Sequence, residues 1–170
     1  ADVSGTLTVS NDGEGDVDID RMDVSGNVTV STGNGDMDMD TVTVTESGRL
    51  DASSGEGDVT IGSDNSNDDT YDVVIDGIAN ITTGEGDLTV LDAQIGGQAN
   101  IVSNGPGNIL VDELDVKQSG MLTVTADGDG DISIDDASVA GNGIITTNGN
   151  GDITVTDSQI SGKITVSNDI

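Results

Sequence analysis

The side chains in this sequence that could do chemistry are almost all carboxylates. Asp and Glu number 33 against four Lys and Arg, with no His and no Cys, and the formal net charge is −29. Their commonest setting is a four-residue marker, Gly-x-Gly-Asp/Asn. It puts Asp16, Asp36, Asp58, Asp87, Asn108, Asp131 and Asp152 directly after a spaced glycine pair. Carboxylate and carbonyl oxygens suit a hard cation, so Asp16, Asp36, Asp58, Asp87, Asp131 and Asp152 are candidate Ca²⁺ ligands. The competing reading is an Asp that caps backbone N–H groups in a glycine turn and keeps the chain soluble.

A second acidic group sits in the segment 62–72. Asp64, Asp68, Asp69 and Asp72, with Asn65 and Asn67, have the oxygen density for one Ca²⁺ site. The segment lacks the central Gly and final Glu of an EF-hand loop, and its competing reading is a solvated acidic loop. Catalysis lacks its usual parts. The lysines are isolated, and carboxylates are so widespread that no pair stands out as acid and base. The expectation is a non-enzyme with no required cofactor, Ca²⁺ being the one candidate. Asn27-Val-Thr and Asn80-Ile-Thr are N-glycosylation sequons, which makes Asn27 and Asn80 candidate modification sites. Such triplets also arise by chance in a chain rich in Asn, Ser and Thr.

What must position these groups is a repeat. Successive first glycines of the marker are 20, 22, 29, 21, 23 and 21 residues apart, and the long gap holds the 62–72 insertion. Between markers, apolar residues alternate with polar ones in three short runs. Val17 and Ile19, then Met22 and Val24, then Val28 and Val30 are the first set, and equivalents recur to Ile164 and Val166. Period-2 alternation means strands, and the Gly-rich breaks mean turns. Low aromatic content and high charge would otherwise suggest disorder, but the aliphatics are periodic rather than scattered. Gly and β-branched residues argue against helix throughout. A sandwich would use hairpins and would not need a fixed period.

The reading is therefore all-β: a three-sided parallel β-helix, or β-solenoid, of about 21 residues per coil, seven to eight coils long and right-handed. It forms a single domain over 1–170 with a loop insertion at about 62–72. Coils about 4.8 Å apart would make a rod of about 35–40 Å. One coil cannot stand alone; stacked hydrogen bonds and continuous apolar ladders must hold it. The absence of Phe and Trp fits a narrow lumen.

Three outer faces follow. Marker Asp residues stack along one corner, where like charges about 4.8 Å apart repel by roughly 0.9 kcal/mol in water before screening. The first strand of each coil turns Asp18, Asp20, Asp38 and Asp40 outward. The third turns Thr8/Ser10, Thr29/Ser31, Thr123/Thr125 and Thr165/Ser167 outward. Such Thr-x-Thr rows resemble ice-binding proteins, with Asp51, Asn80, Asn100 and Ile144 interrupting them. The marker is similar to the Ca²⁺-binding nonapeptide of RTX toxins, Gly-Gly-x-Gly-x-Asp. Here Asp directly follows the second Gly and the period is longer, so no ligands carry over.

The coil length, glycine turns and alternation along the whole chain resemble β-solenoid stretches of bacterial and archaeal surface proteins, including filamentous-haemagglutinin-type adhesins. That resemblance implies an extracellular, cell-surface structural role. Negative charge argues against nucleic acid and anionic membranes. No apolar run is long enough for membrane insertion. The N-terminus has neither Met nor the pattern of a signal peptide, as expected of a processed product or an excised segment. The segments Asp2–Asp12 and Ser158–Asp169 are at the same phase of the coil, and neither carries an evident cap. The expected partner is therefore the chain itself, head to tail, in a filament or adhesin. The alternative is a Ca²⁺-dependent or ice-binding solenoid module.

Overall fold

Alternating Val, Ile and Thr favour extended chain, and the marker glycines end the third run of each coil before it can lengthen. The computed structural model describes residues 1–63 and 70–168; Asp64, Asp68 and Asp69 of the candidate loop site lie outside them. The described residues hold no helix and nineteen strands. In chain order these are β1 (Asp2–Val3), β2 (Leu7–Asn11), β3 (Val17–Val24), β4 (Val28–Thr32), β5 (Met37–Val44), β6 (Leu50–Ser54) and β7 (Val59–Ile61). Then come β8 (Val73–Ile75), β9 (Ala79–Thr83), β10 (Leu88–Ile95), β11 (Ala99–Ser103), β12 (Ile109–Val116) and β13 (Leu122–Ala126). The last are β14 (Ile132–Asp135), β15 (Ser138–Val139), β16 (Gly143–Thr147), β17 (Ile153–Val155), β18 (Gln159–Ile160) and β19 (Ile164–Asn168).

Each strand pairs in parallel with its counterpart one coil on. Val17 sits opposite Met37, Val28 opposite Leu50, and Ala99 opposite Leu122. This is the stacked solenoid expected from the repeat. The third side is an eight-stranded sheet in the order β2-β4-β6-β9-β11-β13-β16-β19. The first and second sides share one eleven-stranded sheet, because in several coils they are a single unbroken strand.

The corner between the first and second sides is one residue in the left-handed region, whether the strand runs on through it or breaks there. Arg21 has φ 54°, Thr41 51°, Asp92 43°, Glu113 52°, Asp136 45° and Asp157 44°. The residue slips the alternation by one step. Ile19 and Val24 are both buried although five positions apart, with exposed Asp20 and Arg21 between them. Pairing skips the slip: Asp20 faces Asp40 and Met22 faces Val42. Non-glycine residues in this conformation cost about 1–2 kcal/mol each. The ladders on either side hold them there.

Differences in coil length are confined to corners. Val24 to Val28 is a short turn, whereas Val44 to Leu50 is two residues longer and accommodates Glu46 and Ser47 at φ 58° and 59°. Gln118 and Ser119 make the same excursion at φ 52° and 61°. The 62–72 insertion replaces the single-residue corner between β7 and β8, and it begins at Gly62 with φ 82°. The core continues past it: β10 pairs with both β7 and β8. The lumen is an aliphatic column in which Val30, Met39, Val90, Ile101 and Val124 are fully buried.

The marker glycines answer to packing more than to dihedral angle. A Cβ on Gly35 would lie 2.1 Å from the Gly15 carbonyl oxygen, and one on Gly57 2.2 Å from that of Gly35. The same collision recurs at Gly107 and Gly130. Backbone touches backbone between coils along this edge, so no side chain fits.

Candidate functional site

The marker Asp residues are exposed, and they form a chain of caps. Asp16 Oδ1 accepts the Asp36 N–H at 3.0 Å, Asp36 the Asp58 N–H at 2.9 Å, and Asp58 the Asp87 N–H at 2.8 Å. Asp87 continues to Asn108 at 2.7 Å, Asn108 to Asp131 at 2.9 Å, and Asp131 to Asp152 at 2.8 Å. One carboxylate oxygen per coil therefore joins its coil to the next. Asn108 does the same without charge, so the acceptor oxygen is what the position requires. Among the described residues, no group of three or more His, Cys, Asp or Glu is arranged to hold a metal ion.

Behind this edge lies a column absent from the sequence reading. Thr32, Ser54, Thr83, Ser103 and Thr147 point inward and are buried. Ser54 Oγ donates to the Gly35 carbonyl, Thr83 Oγ1 to that of Gly57, and Ser103 Oγ to that of Gly107. Asn11 and Asn168 play this part in the first and last coils, reaching Gly15 and Gly151. Thr32 Oγ1 is the exception: buried and without a partner among the described residues. The signal was present, since each residue follows an inward aliphatic by two positions.

The acidic first side brings Asp18 opposite Asp38 and Asp20 opposite Asp40. Partial burial, then the charges of Asp18 and Asp40, raise the Asp38 carboxyl above the ordinary Asp range. Three of the four basic residues sit against single carboxylates: Arg21 on Asp20 and Arg49 on Asp51, each at 2.6 Å, and Lys117 on Asp115.

A concavity lies where the insertion rejoins the rod. A cavity of about 340 Å³ is lined by Thr70, Tyr71, Asp92, Glu113, Leu114, Asp115, Asp136 and Ser138. Three of these, Asp92, Glu113 and Asp136, are corner residues of successive coils. The Tyr71 hydroxyl donates to Asp115 Oδ2 at 2.9 Å, tying the insertion to a coil 44 residues away. Burial raises the Tyr71 phenol, and the hydrogen bond and charge of Asp115 raise it further. Lys117 is raised chiefly by its hydrogen bond to Asp115. Asp72 lies outside this lining and accepts from the Ser63 hydroxyl.

The two sequons differ. Asn80 is half-buried, with Nδ2 donating to Asp51 and Oδ1 accepting from Asn100, both at 2.8 Å. Asn27 is exposed, and its Oδ1 accepts the Arg49 N–H at 3.0 Å. The Thr/Ser face is in register, Thr8 opposite Thr29 and Ser10 opposite Ser31, and Ser31 Oγ donates to Ser10 Oγ.

Lumen positions in the first and last described coils are partly exposed. Ile164 and Val166 hold lumen positions yet are 46% and 50% exposed, while Ile145 one coil earlier is fully buried. At the other end Leu7 and Val9 are half-buried. Comparison with protein-family models, curated proteins and solved structures returns no match.

Proposed function

We propose that the chain is a non-enzymatic structural rod, a β-solenoid unit of an extracellular surface filament or adhesin that extends by stacking coil on coil at its ends. The observation that carries this is the pair of edges. The strand β19 reads Ile164-Thr165-Val166-Ser167-Asn168 and β2 reads Leu7-Thr8-Val9-Ser10-Asn11, the two edge strands of the same sheet among the described residues. Placing β19 of one copy beneath β2 of the next sets Ile164 against Leu7, Val166 against Val9 and Asn168 against Asn11. The strand β18 then lies beneath β1, continuing the second side. The first side is left one strand short at each junction. Unpaired strand edges with exposed lumen residues are ready templates for such pairing.

Electron microscopy of the purified chain at raised ionic strength tests the proposal. Rods joined end to end support it. Ile164→Asp, which puts a charge on the exposed lumen edge, should leave the inner coils folded and abolish joining.

A second reading is a Ca²⁺-dependent solenoid module, favoured by the crowding that raises Asp38. Melting in Ca²⁺ against NaCl of matched ionic strength separates the two. A Ca²⁺-specific rise supports cation sites, and equal responses support screening alone.

A further inference from the structure

Five Asn-Gly pairs occur in the chain, at Asn34, Asn104, Asn142, Asn148 and Asn150. This dipeptide can cyclise, because glycine carries no Cβ to hinder its nitrogen. The fold separates the five. Asn142 is restrained on both sides: its Oδ1 accepts the Lys163 N–H at 2.8 Å, and Gly143 N–H donates to the Lys163 carbonyl at 3.0 Å. Asn104, Asn148 and Asn150 each have their amide nitrogen engaged, by the Thr83 carbonyl, Asp127 and Asp129. Asn34 is exposed and its side chain makes no hydrogen bond among the described residues, and neither does the Gly35 N–H.

We propose that Asn34 is a site of spontaneous deamidation built into the coil edge. The Gly35 nitrogen attacks Asn34 Cγ and gives up its proton, Nδ2 leaves as ammonia, and a five-membered imide forms. Water then opens the imide to Asp or to isoaspartate, with no change of oxidation state. The nucleophile is the deprotonated amide, so the rate rises with pH.

The consequence is local. Asn34 stands in the x column of the marker between Glu14 and Glu56 of the neighbouring coils. Conversion to Asp makes that stretch of the column continuously acidic. Isoaspartate also lengthens the backbone beside Gly35, where a Cβ would already sit 2.1 Å from the Gly15 carbonyl oxygen. The first coils should loosen while the later ones keep their register.

The test is peptide mass spectrometry of the full chain aged at mildly alkaline pH, with isoaspartate detected by isoaspartyl methyltransferase labelling. Asn34 should convert at least about tenfold faster than Asn142 in the folded rod, and the five sites should converge in concentrated urea, where local protection is gone. Asn34→Gln should remove that signal and leave the other four unchanged. Conversion of Asn34 no faster than Asn142 in the folded protein would overturn the proposal, as would faster conversion at Asn148 or Asn150.

Discussion

At the scale of single residues, most side-chain hydrogen bonds among the described residues connect coils. The inward hydroxyl column is a direct case. Thr83 satisfies a glycine carbonyl, while Thr32 is buried without a partner. Thr32→Val should therefore stabilise the protein by about 1 kcal/mol, and Thr83→Val should cost about 1–2 kcal/mol, as read by chemical denaturation. The acidic cap column separates oxygen from charge. Asp87→Asn should be neutral or slightly stabilising, as Asn108 foreshadows, and Asp87→Ala should cost about 1 kcal/mol. Asp38 gives a pH test. Its folded carboxyl lies above the ordinary range, so its favourable contribution is fully present below the unfolded value and is lost as pH rises through the folded one. Asp38→Asn should gain ~0.2–1 kcal/mol at neutral pH, and that gain should vanish in acid; measuring variant and parent at both pH values checks it.

At the scale of elements, the strands were legible in the sequence and the corners were not. Alternation placed Val17, Ile19, Val28 and Val30 inward, and each is buried. The same alternation suggested separate strands at Val17 and Met22, where β3 runs on through Arg21. A left-handed Arg, Thr or Glu carries no composition signal, because neighbouring coils force the conformation. Tyr71 was equally opaque, since its partner Asp115 lies two coils away. The glycine pair was visible as a marker, but its cause was not: the spacing between coils, absent from any one repeat, leaves no room for Cβ. Gly57→Ala meets the Gly35 carbonyl at 2.2 Å and should cost about 3 kcal/mol or more, whereas Glu56→Ala, on the exposed position between, should stay within about 0.5 kcal/mol. Thermal unfolding of the pair decides whether packing sets the marker.

At the scale of the whole molecule, the chain is a rod of one composition carrying a net charge of −29. Like charges stack coil over coil, so added salt should raise the melting temperature and promote end joining through one screening effect. The proposed end-to-end pairing would align β19 with β2 and β18 with β1, two of the three sides, and this is where the account commits itself. Eight strands on the third side at about 4.8 Å would set an axial repeat of about 38 Å per stacked copy. The most direct test is cryo-electron microscopy of the intact chain at high ionic strength. Filaments with a repeat of about 38 Å and unbroken β19-to-β2 ladders are predicted. Strictly monomeric rods at every salt concentration, with both ends closed by ordered caps, would contradict the account.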